Sequence, residues 1–114
     1  MKIILKKSLD VTPPLELYID KKLSPLAKFL KHFEEKGDVE LWLEVSRTTK
    51  HHNKGEEVFK AVADLKLPGK ILRSEASASD IRRAVDEVRD MLHMEIEKYK
   101  TKHSRSPKEQ KGEK

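Results

Sequence analysis

The side chains of this sequence that could carry out chemistry are one pair of glutamates and a few histidines. Glu40 and Glu44 lie on the same side of a predicted strand, as the members of a paired-carboxylate site would. That side faces solvent, and neither a pocket nor a basic partner is evident. The chain has no cysteine, no glycine-rich phosphate loop, no nucleophile elbow and no H-E-x-x-H motif. The sequence therefore predicts a protein that is not an enzyme and has no small-molecule substrate.

The histidines give little support for a metal site. His51 and His52 are adjacent in a polar loop, whereas zinc needs three or four ligands that converge. No ligand spacing relates the remaining histidines, which are His32, His93 and His103. We therefore predict no metal and no other cofactor. Because Lys50 and Lys54 flank the histidine pair, we interpret the loop as an RNA-facing tip, or simply as an exposed loop.

Positive charge is concentrated toward the C-terminal end of the sequence. The net charge is +5, and the segment from Lys98 to Lys114 carries seven Lys or Arg and two Glu. The preceding residues carry 18 basic and 18 acidic side chains, so a basic patch there must arise from segregation of charge. A basic end indicates a polyanionic partner such as nucleic acid, or only a solubilising tail.

Two predicted helices carry basic side chains away from their apolar stripes. If the helices pack side by side on a sheet, these side chains form a ridge that suits phosphates. The ridge would consist of Lys21, Lys22, Lys28 and Lys31 on the first helix and Arg82, Arg83 and Arg89 on the second. Alternatively, mixed charges merely solvate the helices, since nearby acids can pair with the cations, namely Asp20, Asp86, Glu87 and Asp90.

The pattern of apolar residues predicts the order β-α-β-β-β-α in one α+β domain. Residues 3–5 form an apolar run, residues 39–45 and 58–67 alternate with a period of two, and residues 71–78 follow a Pro-Gly turn. Residues 47–55 are predicted to be a polar loop. We expect a four-stranded sheet with both helices packed on one face and the first strand parallel to a neighbour. This arrangement resembles the double-stranded-RNA-binding domain with an added N-terminal strand, although fold by itself does not establish function.

The helix boundaries follow from capping residues and proline. Thr12 is a good N-cap, and the prolines after it are tolerated in the first turn. The first helix should run for about five turns, kink at Ser24-Pro25 and end near Gly37. Ser79 should cap the second helix, with Asp80 in its first turn. The predicted buried stripes are Leu15, Ile19, Leu23, Leu26, Leu30 and Phe33, and then Ile81, Val85, Val88, Leu92, Ile96 and Tyr99.

The chain is predicted to contain one folded domain, over residues 1–103. Residues 104–114 contain no apolar side chain, which predicts a basic and disordered tail. No stretch approaches the ~20 apolar residues of a membrane helix, so we expect no membrane association. The first residues contain no apolar run long enough for a signal peptide.

The stretch Gly69–Ile81 ends in an A-x-A-x-D junction, and it is followed by Ala84-Val85-Asp86 and Glu97-Lys98-Tyr99-Lys100. These motifs, taken in their order, resemble the last strand and last helix of the ribosome hibernation-promoting factor family, which includes the ribosome-associated inhibitor and sigma-54 modulation proteins. The loop 51–55 is also similar to that family, as is Lys21-Lys22-Leu23 with Leu26 and Lys28 to its first helix. The resemblance covers roughly residues 2–103.

The resemblance implies a protein that binds the small ribosomal subunit and its rRNA near the decoding centre. It would act on 70S ribosomes by overlapping the positions of messenger and transfer RNA. It would be cytoplasmic and a monomer when free. Because the chain ends soon after the second helix, it resembles the short form of the family. The implied RNA-binding residues are Lys21, Lys22, Lys28, Lys50, His51, His52, Lys54, Arg82, Arg83, Arg89, Lys98, Lys100 and Lys102.

The sequence departs from the family pattern in the last helix. Many relatives carry Lys or Arg where this chain has Met91 and Met94, and an uncharged amide is common at the position of Glu95. Two alternative functions stay open. One is a protein-interaction adaptor that uses the exposed sheet face around Trp42, whose indole could stack on a base but is better interpreted as packing with Val58 or Val62. The other is a generic binder of double-stranded RNA.

Overall fold

Alternating apolar and polar side chains build a mixed four-stranded sheet. A computed structural model of the chain describes residues 1–7, 11–50 and 56–104. The strands are β1 (Lys2–Lys7), β2 (Glu40–Lys50), β3 (Glu56–Leu67) and β4 (Lys70–Ala78), in the order β1-β2-β3-β4. β1 pairs with β2 in parallel, and the other neighbours are antiparallel. This confirms the predicted α+β class and the parallel first strand.

All helices cover one face of this sheet. They are α1 (Pro13–Leu23), a 3₁₀ helix (Ser24–Phe29), α2 (Lys31–Glu34) and α3 (Ile81–Ser104). Every second residue is buried beneath them along β2 from Leu41 to Val45 and along β3 from Ala61 to Leu67, and the residues between these point to the opposite face. The predicted helix stripes lie in the core, with Ile81 and Tyr99 only partly buried at its margin. Burial of these apolar side chains is the main force that holds the helices on the sheet.

The first helix begins as predicted but does not continue as one kinked helix. The Thr12 hydroxyl accepts a hydrogen bond from the Leu15 amide at 3.3 Å, which caps α1. At Pro25 the chain changes to a 3₁₀ helix and then, after Leu30, to the short α2. A proline amide cannot donate to the preceding turn, so the chain tightens there instead of bending.

The N-cap of α3 is Asp80, so the prediction of Ser79 was wrong. The Asp80 carboxylate accepts from the Arg82 amide at 3.2 Å, and its carbonyl accepts from the Ala84 amide at 3.1 Å. Asp80 directly precedes Ile81, the first residue of α3, so its side chain can accept a hydrogen bond from an unpaired amide of the first turn. Ser79 is one residue further from the helix and would not reach that amide.

The strands β2 and β3 are longer than the alternation predicted. β2 continues to Lys50 through residues that we had assigned to a loop, and Lys50 pairs with Glu56 of β3. The predicted turn between β3 and β4 is confirmed, with Gly69 at a φ of +81°, where glycine is favoured. The tail was predicted to begin at residue 104, but Ser104 is the last residue of α3. Loop residues 51–55 and residues 105–114 of the predicted tail lie outside the described residues. No described helix is both long and apolar enough to cross a membrane.

Candidate nucleic-acid interface

The line of contact between α1 and α3 brings basic side chains of both helices together. β1 and β4 run in the same direction, and each is followed by a helix that returns across the sheet, so α1 and α3 run in parallel. Because the two helices run in parallel, residues later in α1 and the segment after it contact residues later in α3. Tyr18 contacts Asp86, and Phe33 contacts Tyr99. We call this line the seam.

The first part of the seam is a cluster around Tyr18. Its hydroxyl donates a hydrogen bond to Asp86 at 2.6 Å, and the Lys22 ammonium lies 3.5 Å from the same carboxylate oxygen. The Arg82 guanidinium lies over the Tyr18 ring, 4.7 Å from its centroid. The hydrogen bond to Asp86, aided by burial, raises the pKa of the Tyr18 hydroxyl above its ordinary value, although Arg82 opposes the shift. Asp86 of α3 thus contacts Tyr18 and Lys22 of α1 and links the two helices.

The middle of the seam is a depression with cations from both helices. Lys21, Lys22 and Arg89 line it, together with Tyr18 and Pro25. Arg89 is half-buried and pairs with its neighbour Asp90 at 3.1 Å. Such a concave basic surface suits a phosphate group.

The last part of the seam is organised around Phe29. The His93 ring stacks on Phe29 with 4.5 Å between centroids, and the ammonium groups of Lys28 and Lys100 lie 5.3 and 5.7 Å from the Phe29 centroid. His93 also approaches Glu97 at 3.6 Å. The aromatic ring therefore attracts one cation from each side of the seam.

We define the seam ridge as the six cations along this line: Lys21, Lys22, Lys28, Arg82, Arg89 and Lys100. Four acids accompany them, namely Asp80, Asp86, Asp90 and Glu97. Within the described part of the chain, no acid lies within ion-pair distance of Lys21, Lys28 or Arg82. The ridge therefore has an excess of positive charge, although the body of the sequence is balanced overall.

The other predicted RNA-binding residues are not on the seam ridge. Arg83 faces away from α1 and approaches Glu87 at 3.8 Å. Lys98 approaches Glu95 at 3.7 Å and lines a depression beside β4. Lys50 ends β2 and Lys102 lies in α3, but their side chains are outside the described residues, as are His51, His52 and Lys54. Met91 and Met94 are exposed on the side of α3 away from α1.

The sequence reasoning missed the aromatic members of the seam. In the sequence, Tyr18 and Phe29 lie beside the predicted apolar stripe of the first helix, which indicates no binding role, and Asp86 is predicted only as an acid that can pair with a nearby cation. A signal was present, because Tyr18 and Lys22 are four residues apart, as are Arg82 and Asp86, and such residues share one helix face. Only the packing of α1 on α3 shows that these two pairs meet.

The opposite face of the sheet is covered with mutually paired charges. Trp42 is 36% exposed, the Lys66 ammonium lies 4.3 Å from its ring centroid, and its indole nitrogen donates to Glu40 at 2.9 Å. Arg73 pairs with Asp64, and a second pair joins Lys60 to Glu75. Glu40 is therefore engaged with Trp42. Among the described residues, no group of three potential metal ligands converges.

A family model matches most of the chain. The model describes the sigma 54 modulation proteins and S30EA ribosomal proteins, and it matches residues 3–104. The chain belongs to this family. The S30EA match covers every element of the fold and the whole seam, and it agrees with the resemblance that the sequence motifs indicated.

One curated relative and two solved structures illustrate the S30EA family. The ribosome hibernation promotion factor of Deinococcus radiodurans is 27% identical over 103 residues, which cover 90% of this chain and 50% of the relative. The chain thus spans about half the length of that relative.

The two structures share the fold at low sequence identity. The Thermus thermophilus Protein Y N-terminal domain is 24% identical with a TM-score of 0.58, over 86% of this chain and 94% of that one. A ribosomal subunit interface protein from Coxiella burnetii is 20% identical with a TM-score of 0.63, over 89% of this chain and 99% of that one. Neither tests the likeness to the double-stranded-RNA-binding domain, which stays a prediction.

Proposed function

We propose that this protein is a ribosome hibernation factor whose seam ridge binds rRNA of the small ribosomal subunit near the decoding centre. Bound there, it would block the positions of messenger and transfer RNA and so inhibit translation. The observation that carries the proposal is the excess of cations along the seam, in a chain whose family is that of the S30EA ribosomal proteins.

This function requires only binding. Cations that contact phosphates gain affinity by releasing condensed counterions, and they read little sequence. Occupying a site that messenger and transfer RNA also need is sufficient for inhibition, so no reacting group is required. We accordingly propose that the protein is not an enzyme.

The test is co-sedimentation of the purified protein with 30S subunits, 50S subunits and 70S ribosomes, at low and at high salt. We expect binding to 30S and 70S particles but not to 50S particles, with an affinity that falls steeply as salt rises. An excess of free RNA duplex should not compete, which separates this function from generic duplex binding. Absence of binding to 30S subunits at low salt would refute the proposal.

A matched pair of substitutions tests the seam ridge directly. Arg82 and Arg83 are neighbours in the first turn of α3, but only Arg82 lies on the ridge. We expect Arg82→Glu to weaken 30S binding about tenfold or more, since a charge-assisted hydrogen bond is worth roughly 1.5–3 kcal/mol. Arg83→Glu makes the same change of charge and should have a much smaller effect. Equal losses in both variants would argue against the ridge as the binding surface.

A further inference from the structure

An acid lies within the seam ridge, in the cluster around Tyr18, where its charge opposes any phosphate that binds. Asp86 belongs to α3, yet both of its side-chain partners among the described residues, Tyr18 and Lys22, belong to α1. Glu87, the next residue of the same helix, approaches Arg83 instead, at 3.8 Å. The two carboxylates therefore carry the same charge, but only Asp86 contacts a cation of the ridge.

Asp86 restrains cations of both helices. Its carboxylate lies 3.5 Å from the Lys22 ammonium and 2.6 Å from the Tyr18 hydroxyl, and the Tyr18 ring lies under the Arg82 guanidinium at 4.7 Å. Free lysine and arginine side chains lose rotamer entropy when a ligand immobilises them. A cation that is already held in place loses less on binding.

We propose that Asp86 and Tyr18 are positioning residues of the RNA interface. Asp86 holds Lys22 directly and orients Tyr18, and the Tyr18 ring supports Arg82, so that one cation from each helix is presented at a fixed separation to the RNA backbone. This inference rests on the proposed function of the seam ridge. It assigns to an acid a favourable role in binding a polyanion.

Charge alone predicts the opposite result for a variant at this position. Removing a carboxylate from a basic surface raises the local positive potential and should tighten binding of RNA, most strongly at low salt. If Asp86 positions Lys22 and Arg82, its removal should instead weaken binding. The sign of the effect therefore distinguishes the two roles.

The experiment compares 30S binding by wild type, Asp86→Ala and Glu87→Ala over a range of salt concentrations. Both variants remove one negative charge from α3, at neighbouring positions, but Glu87 approaches only Arg83, which is not on the ridge. We expect Asp86→Ala to raise the Kd about fivefold to tenfold, the order of the entropy lost when a freed long side chain is immobilised on binding. The slope of log Kd against log salt should become shallower by about one for each phosphate contact that is lost. Glu87→Ala should bind as tightly as wild type or more tightly.

Tyr18→Phe provides a second measure that keeps the ring beneath Arg82 and removes only the hydrogen bond. We expect a smaller loss in the same direction. Thermal unfolding of each variant distinguishes a loss of positioning from a loss of stability. A variant that is only less stable has a smaller folded fraction, but the folded protein keeps the same slope of log Kd against log salt.

Two results would overturn the inference, and they are distinguishable. If wild type binds 30S subunits but Asp86→Ala binds equally well or better with an unchanged slope, Asp86 is only a counter-charge and the proposed function stands. If wild type itself does not bind 30S subunits at low salt, the proposed function fails and the inference fails with it.

Discussion

The Tyr18 hydroxyl is a sensitive reporter of the seam because it donates a hydrogen bond to a carboxylate of the neighbouring helix. Asp86 accepts this hydrogen bond at 2.6 Å, which favours the neutral phenol, and burial acts in the same direction. The pKa of Tyr18 is therefore raised above the ordinary value of 10.0. A folded-state pKa above the unfolded one stabilises the fold below pH 10, and this stabilisation is lost as the pH rises through the raised value.

Ultraviolet absorbance measured against pH, for wild type and for Tyr18→Phe, tests this at the residue scale. The difference between the two curves is the titration of Tyr18, and we expect its midpoint above pH 10.0. The difference in unfolding free energy between the two proteins should stay constant from about pH 7 to about pH 9 and shrink at higher pH. A midpoint at or below the ordinary value would contradict the hydrogen bond to Asp86.

At the scale of elements, the spacing of apolar residues correctly predicted which side chains are buried. It did not correctly predict the conformation of the helical segment that carries them. Leu23, Leu26 and Leu30 are fully buried, as predicted, although the chain changes from α1 to a 3₁₀ helix between the first two. A 3₁₀ turn places residues three apart on one side, so the same spacing remains compatible with burial. Sequence therefore identified the buried face and the position of the break at Pro25, whereas the form of the break, a 3₁₀ helix in place of a kink, was not predicted.

Two leucines of α1 make a matched test of this burial. Leu23 is 0% exposed and Leu17 is 71% exposed on the same helix. We expect Leu23→Ala to lower the free energy of unfolding by about 2–5 kcal/mol, because it removes apolar contacts and leaves a cavity. Leu17→Ala should change it by no more than about 0.5 kcal/mol. Urea denaturation followed by circular dichroism measures both, and similar losses would mean that α1 packs with a different face.

At the scale of the whole molecule, the distribution of charge matters more than its sum. The first 97 residues contain equal numbers of basic and acidic side chains, which correctly predicted that a basic surface must arise from separation of the two kinds of charge. The sequence did not show which cations lack an acidic partner. Arg73 and Lys60 pair with acids on neighbouring strands, whereas Lys21 and Arg82 lie along the seam with no acid of the described residues within ion-pair distance. That difference depends on strand register and on helix rotation, which sequence spacing alone does not determine.

The two faces of the molecule should therefore differ in function. Trp42 lies on the ion-paired face of the sheet, opposite the helices. We expect Trp42→Ala to leave 30S binding unchanged, because it removes no cation from the seam ridge. Co-sedimentation beside Arg82→Glu measures this. A loss of binding in Trp42→Ala without loss of folding would instead favour an adaptor that uses the sheet face.

The parallel pairing of β1 has a consequence for how the sheet assembles. Lys2 of β1 pairs with Glu40 of β2, 38 positions further along the chain, whereas β3 and β4 are joined by a tight turn at Gly69. Closing a long loop costs more entropy than closing a hairpin, and contacts distant in sequence form slowly. During synthesis, β1 is made before its partner and must wait for β2 with its edge unpaired. The strand synthesised first therefore stays unpaired until β2 is available, and the entropy cost of its loop favours docking after the β3–β4 hairpin has formed.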